Sequence, residues 1–208
     1  MKALIVQGGW DGHEPKPVSE ILATVLQESG VDVTVSDTLD AFTDEALMKD
    51  LDLIVPIWTM GDIQADQLKP LLAAVQGGCG IAGLHGGMGD AFRLQTEYQY
   101  MCGGQWVAHP GGAGVTYGVH ILDPWHPLTE GISDFEVTSE QYYMHVDPAI
   151  IVLATCNFGH TVMPAVWIKS YGEGRVFYCS VGHIAADLDV PEVKELMKRG
   201  MLWAGRQA

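Results

Sequence analysis

Short apolar runs alternate with segments of helical periodicity through the first half of the chain. Residues 3–6 form an apolar run closed by glycines, and residues 17–29 place their apolar side chains on one face, with Gly30 just past the end. The same alternation continues as a strand at 31–35, a helix at 44–49, a strand at 51–57, a helix at 64–75 and a strand at 79–84. Strands separated by helices pair in parallel through right-handed crossovers, so this half predicts an α/β fold with a parallel sheet.

The second half of the chain is less regular. Two apolar runs at 165–170 and 175–181 flank Tyr171-Gly172-Glu173-Gly174 and predict a β-hairpin. The other elements predicted here are a helix at 91–100, strands at 115–122, 134–138 and 150–155, and a closing helix at 190–203. No internal repeat or linker interrupts the pattern, and a single domain over residues 1–208 is the expectation.

The fourth strand ends in the segment Ile81-Ala82-Gly83-Leu84-His85-Gly86-Gly87. Glycines two residues before and after His85 give the spacing of a strained strand-to-helix turn, with histidine where a serine or cysteine nucleophile usually stands. We therefore expect His85 to stand at the end of a central strand, over a pocket. The alternative is a loop that is rich in glycine only for turning and carries its histidine by chance.

Composition and charge narrow the function classes. Hydrophobic residues make up 48% and charged residues 18% of the 208 positions, as in a globular protein. The formal net charge of −15 argues against a general nucleic-acid role, because phosphate binding needs a basic face. No apolar run reaches the length of a membrane span, and the first run is too short for a signal peptide. We expect neither nucleic acid nor membrane among the partners.

The four cysteines do not form a metal or redox motif. Cys79, Cys102, Cys156 and Cys179 lie far apart, without a C-x-x-C pair, and most of them sit in or beside apolar runs. They are predicted to be buried free thiols, and a cytoplasmic protein without disulfides is the simplest interpretation.

The chain is rich in histidine, and most of its histidines fall at strand ends or in loops, where sites are usually built. The eight are His13, His85, His109, His120, His126, His145, His160 and His183. In a parallel sheet the carboxyl ends of the strands share one edge, so Gly8-Gly9, Trp58 and His85 are expected to lie along it. His13 could overhang the same rim or be a solvated loop histidine, and His183 could point at the same pocket or merely end its strand. His120 lies inside a strand pattern and is predicted to be structural, whereas His109 and His126 precede prolines and could simply shape loops.

No known metal signature is present. His13-Glu14 lacks the second histidine of an H-E-x-x-H site, and there is no Walker A loop. Folding could still bring His13, His85, His183 and Glu140 together as ligands for a divalent metal such as zinc, although no spacing fixes such a site. No cofactor is therefore predicted with certainty.

The order of the motifs resembles that of the ThuA-like family, of the trehalose-utilisation type, over nearly the whole chain. The motifs are the first-strand glycines with His13-Glu14, Gly83-Leu84-His85-Gly86-Gly87, His126-Pro127-Leu128-Thr129-Glu130-Gly131, Glu140 with Tyr142, Pro164-Ala165-Val166-Trp167, Gly172-Glu173-Gly174-Arg175-Val176-Phe177-Tyr178 and Gly182-His183.

The resemblance implies a class I glutamine amidotransferase-like, flavodoxin-like fold: a three-layer sandwich with a mostly parallel central sheet. It also implies a link to the catabolism of disaccharides or keto-sugars. In amidotransferases the strand-to-helix turn, or nucleophile elbow, holds a cysteine. Here His85 stands at that position, so their thiol chemistry is lost. Ser139 stands where the family often has a second acidic residue, which puts a two-carboxylate mechanism in doubt.

Two function classes remain open. In the first, an enzyme acts on a small carbohydrate by acid/base or metal-assisted chemistry, with His85 as central acid/base, His13 and His183 as its partners, and Glu140 as orienting group or second base. Its candidate substrate-binding residues are Trp58, Trp106, His109, Tyr142, Tyr143 and His145. In the second, the chain is a non-catalytic sugar-binding or regulatory module on an amidotransferase-like scaffold. The tyrosines could equally serve core or interface packing, and a homo-oligomer is a further candidate.

Overall fold

A computed structural model describes residues 1–206 of the chain. The helices are α1 (Pro15–Glu28), α2 (Glu45–Asp50), α3 (Ala65–Gln76), α4 (His85–Gly89), α5 (Thr96–Cys102) and α6 (Pro191–Ala204). The strands are β1 (Lys2–Gly9), β2 (Asp32–Ser36), β3 (Leu53–Thr59), β4 (Gly80–Leu84), β5 (Gly104–Ala108), β6 (Val115–Ile121), β7 (Phe135–Ser139), β8 (Tyr143–Val146), β9 (Ile151–Phe158), β10 (Thr161–Tyr171) and β11 (Gly174–Cys179). This confirms the α/β class.

Within residues 1–206 the main sheet has nine strands in the order β2-β1-β3-β4-β11-β10-β9-β6-β7. The five strands from β2 to β11 are parallel, and the four pairings from β11 to β7 are antiparallel. Four of the five parallel strands come from the segment in which helices separate the strands, because parallel neighbours need such crossovers, and β11 joins them from the hairpin with β10. The sheet is therefore large and mixed, with its parallel half carrying the strand ends of interest.

Helices flank the sheet in two groups. α1 packs against β1 and contacts α6, which lies against β4 and β11, whereas α3 contacts α2 and α5. The buried side chains of α1 include Val18, Leu22, Val25 and Leu26, the apolar face that the sequence predicts. The core is one continuous cluster of buried apolar residues around the central strands. The residues described include no helix that is both long and apolar enough to cross a membrane.

The structure corrects the prediction around residues 91–100. The helix there begins only at Thr96, because Ala91 pairs in an isolated bridge with Met60 and Phe92 has a φ of +50°. One further feature was not predicted, a separate two-stranded antiparallel sheet formed by β5 and β8.

Candidate functional site

Four parallel strands deliver polar side chains to one rim of the sheet. His13 lies in a 3-10 turn just after β1, Thr59 ends β3, His85 follows β4, and His183 comes shortly after β11. This edge is the carboxyl end of the parallel half, where ligands bind in open α/β sheets. Glu140 joins them from the loop between β7 and β8, in the antiparallel half of the chain.

Three imidazoles surround one carboxylate at this rim. Glu140 Oε2 lies 3.2 Å from His85 Nε2, 3.3 Å from His183 Nδ1 and 3.7 Å from His13 Nε2. One potential ligand atom from each of these four residues lies within 4.8 Å of all the others. We call them the His/Glu cluster. Their side chains are buried or nearly so, with His183 the most exposed at 12%.

His85 occupies a sharp turn from β4 straight into α4, which confirms the predicted strand-to-helix turn. Its φ of +41° lies in the left-handed region that non-glycine residues rarely adopt. Its Nδ1 is 2.8 Å from the carbonyl oxygen of Ser180, which can only accept, so Nδ1 carries the proton. The Tyr178 hydroxyl donates to the backbone carbonyl of His85 and holds the turn.

The other two imidazoles of the cluster are held in their neutral form. Burial, followed by the neighbouring rings of His85 and His183, lowers the pKa of His13 to about 3. Burial also lowers the pKa of His183. His13 Nδ1 lies 2.8 Å from the Thr59 hydroxyl. His183 Nδ1 is buried and finds no hydrogen-bond partner among residues 1–206, despite its closeness to Glu140.

Glu140 stays ionised in spite of its burial. Desolvation favours the neutral acid, but the hydrogen bond with His85 and the nearby imidazoles outweigh it and bring the pKa of Glu140 to about 2. The cluster therefore combines one carboxylate with at least two neutral imidazoles near pH 7.

The donor set fits a divalent cation. Three imidazole nitrogens and one carboxylate oxygen are ligands that zinc accepts, and tetrahedral bonds of about 2.0–2.2 Å put ligand atoms about 3.4 Å apart. The three distances from Glu140 Oε2, at 3.2, 3.3 and 3.7 Å, lie near that edge length. The far nitrogen of His85 is anchored by the Ser180 carbonyl, the kind of support that orients metal ligands.

Comparison with known proteins places the chain in a family. Residues 2–204 match the family model described as ThuA, trehalose utilisation. The chain belongs to the ThuA family. No curated protein matches the sequence at a significant level.

Solved ThuA-like structures share the fold. A ThuA-like protein of Parabacteroides merdae is 21% identical, with a TM-score of 0.77 over 98% of this chain and 89% of that one. Another from Bacteroides uniformis is 15% identical, with a TM-score of 0.83 over 98% and 91%. A β-galactosidase of Bacillus circulans sp. alkalophilus is 13% identical, with a TM-score of 0.60, and the match covers 97% of this chain but 30% of the enzyme. At these identities the likeness concerns the fold alone.

Some of the candidate substrate-binding residues lie at the His/Glu cluster of this ThuA-family chain. The Tyr142 ring stacks on His85 with centroids 3.7 Å apart, and burial raises the pKa of its hydroxyl, so it stays protonated. His109, 38% exposed, has its Nδ1 3.6 Å from Glu140 Oε1 and its ring 5.5 Å from Trp106. His109 thus stands at the mouth of the cluster, between carboxylate and solvent.

The other candidate substrate-binding residues lie elsewhere. Tyr143 packs edge-on against His145 and Phe158, and His145 is exposed. Trp58 lies half-buried against the glycines at the end of β1, so close that a side chain at Gly8 would overlap its ring. Neither Tyr143 nor Trp58 makes a ring contact with the cluster in the part of the chain that the structure describes.

Sequence reasoning missed the groups that position the cluster. Asp187 Oδ2 accepts hydrogen bonds from the backbone N–H of His183 at 2.7 Å and from the Ser139 hydroxyl at 2.6 Å. It thereby ties the loop of His183 to the residue before Glu140. Glu14 accepts from the Ala185 N–H at 3.0 Å and braces the same loop. No spacing in the sequence marks Asp187, because its partner Ser139 lies 48 residues away at the end of β7.

Proposed function

We propose that this ThuA-family chain is an enzyme of carbohydrate catabolism that acts on a disaccharide or keto-sugar. Its reacting centre is the His/Glu cluster, which we further propose holds a divalent cation such as zinc. The single observation that supports this is the meeting of one carboxylate oxygen and three imidazole nitrogens within 4.8 Å of one another. The trehalose-utilisation family supplies the substrate class.

A proton satisfies only part of this arrangement. A proton on His85 Nε2 would form a hydrogen bond across the 3.2 Å contact with Glu140. It would leave the buried His183 Nδ1 without a partner. A cation among the four ligand atoms would satisfy all of these contacts at once, and buried charge is stable when it is paired in this way. The geometry therefore favours a cation over a shared proton.

The chemistry divides between the cluster and its mouth. A bound divalent cation would supply Lewis acidity toward a sugar carbonyl or hydroxyl oxygen. His109 is exposed enough to meet substrate, and its Nδ1 lies 3.6 Å from Glu140 Oε1, so it is placed to act as an acid or base toward a bound sugar. Tyr142 fixes the plane of His85 by stacking. Glutamine amidotransfer is not proposed, because an imidazole occupies the elbow.

Elemental analysis of protein purified without a histidine tag tests the cation directly. We expect about one zinc or similar ion per chain, and less than about a tenth of that in Glu140→Gln and His85→Ala, because each loses a ligand. His120→Ala is the matched control, since His120 lies on β6 and pairs with Asp134, away from the cluster. Turnover of disaccharides and keto-sugars should follow metal content. Metal-free protein with full turnover, or full activity in His85→Ala, would refute the proposal.

The alternative is a non-catalytic sugar-binding module. The match to under a third of a β-galactosidase favours it, because the same fold there forms one part of a larger protein. Calorimetry with sugars alongside turnover assays separates the two functions. Tight binding without product in the metal-loaded protein supports the module.

Further proposals rest on the family and on the sequence. They are the three-layer, amidotransferase-like arrangement as a single domain, a small carbohydrate rather than nucleic acid or membrane as partner, and a homo-oligomer. Four buried free cysteines are typical of the cytoplasm, which we propose as the location.

A further inference from the structure

A cavity of about 210 Å³ opens beside the His/Glu cluster. Asp90 at the end of α4, Arg93, Gln99 of α5, and Gln105 and Trp106 of β5 line it. We call it the Trp106 cavity. The Trp106 ring lies 5.5 Å from that of His109 and 6.2 Å from that of Tyr142, which stacks on His85. The cavity is therefore one aromatic layer away from the proposed reacting centre.

The charges in the Trp106 cavity cancel. Asp90 is 4% exposed, and its carboxylate accepts two hydrogen bonds from Arg93, at 2.6 and 2.8 Å. This fork-like pair uses Nε and Nη2 of Arg93 and leaves its Nη1 without a hydrogen bond among the described residues. A neutral ligand suits such a pair better than an anion, which would face Asp90, or a cation, which would face Arg93.

Unused polar groups surround this ion pair. Trp106 Nε1 is buried and has no hydrogen-bond partner within residues 1–206, and the guanidinium of Arg93 lies 4.4 Å from the centre of the Trp106 ring. Gln99 donates its amide to the Arg93 carbonyl at 2.6 Å and keeps its side-chain oxygen available. The buried Trp106 Nε1 is costly to leave without a partner unless a ligand or water completes it.

We propose that the Trp106 cavity is a subsite for one neutral sugar ring, the ring of a disaccharide that does not react. Planar amide, guanidinium, carboxylate and indole groups offer both donors and acceptors, which matches a ring that carries a hydroxyl on most of its carbons. The volume is below that of drug-sized pockets and suits a single ring. This inference rests on the proposed function, since it assigns the second ring of the same substrate.

Calorimetry with trehalose, and with glucose as a single ring, tests the subsite. We expect Trp106→Phe, which loses the indole N–H, and Gln105→Leu, which loses the amide, each to weaken trehalose binding about fivefold to tenfold, the worth of one hydrogen bond. Gln27→Leu on the exposed face of α1 is the matched control and should bind as the unaltered chain does. Circular dichroism shows whether each variant is folded.

The outcomes keep this inference separate from the proposed function. Glu140→Gln should lose turnover yet keep trehalose binding that remains sensitive to Trp106→Phe. If the unaltered chain binds trehalose in this Trp106-sensitive way but shows no turnover, the subsite is supported and the proposed enzyme activity is refuted. Turnover with trehalose affinity unchanged in both cavity variants would refute the subsite alone. Failure of both sugars to bind at millimolar concentration would overturn the assignment to a neutral hexose ring.

Discussion

At the scale of single residues, the backbone of His85 carries strain. Its φ of +41° costs a residue with a Cβ about 1–2 kcal/mol, and glycine avoids that cost. Strain of this kind persists where the surroundings fix the residue, and here the Ser180 carbonyl, Glu140 and Tyr178 do so. The His85 side chain therefore takes its place in the His/Glu cluster at the expense of stability.

We predict that His85→Gly is more stable than His85→Ala by about 1 kcal/mol, because both lose the imidazole and only alanine keeps the strained Cβ. Urea unfolding at one pH, with equal slopes for the two variants, measures the difference. An alanine variant as stable as the glycine variant would show that the turn is not strained. The comparison is independent of any metal.

At the scale of elements, α4 brings its glycines close to distant residues. A Cβ on Gly86 would overlap the His13 ring and come within 2.9 Å of the Tyr142 hydroxyl. A Cβ on Gly87 would stand 3.0 Å from the backbone of Ile57 in β3. The spacing of glycines around His85 predicted a tight turn, but not that a ring from another strand end fills the space beside Gly86.

We predict that Gly86→Ala displaces His13 and costs about 1–3 kcal/mol of unfolding free energy, as overpacking of a filled site does. Metal content and turnover should both fall in Gly86→Ala, because His13 is one of the proposed ligands. Gly114→Ala is the control, because nothing lies within 4 Å of the added carbon. Wild-type metal content and stability in Gly86→Ala would contradict the close packing of His13 on α4.

Sequence patterns predicted the elements of the parallel half well, because buried strands and amphipathic helices leave strong periodic signals. The β5–β8 sheet was missed, since its two strands are short and partly exposed, and they are far apart in the chain. The sequence pattern also failed to predict that α5 begins only at Thr96, for a different reason. Residues 91–95 are held by a bridge to Met60, which no local pattern reveals.

At the scale of the whole molecule, the cluster depends on contacts that sequence spacing does not encode. Strand ends on one rim could be predicted to meet, and the three imidazoles are close together in the structure. Glu140 comes from the antiparallel half, 55 residues beyond its partner His85, and only tertiary packing brings it to the rim. Tyr143 and His145 show the reverse, because their nearness to Glu140 in sequence does not place their rings at the cluster.

At the same scale, the fold buries every cysteine of the chain, and this bears on whether a thiol takes part in the proposed chemistry. All four cysteines are buried and free, and burial raises the pKa of Cys79, Cys102 and Cys179 to about 12. A thiol with such a pKa is about one part in ten thousand thiolate at pH 8, and the thiolate is the reactive form.

We predict that Ellman's reagent finds no fast-reacting thiol in the native protein and four in denaturant. Iodoacetamide should leave turnover unchanged, whereas a strong chelator should abolish it. A thiol that reacts within seconds in the folded chain, with loss of activity, would restore a cysteine mechanism and remove the His/Glu cluster from the centre of the chemistry.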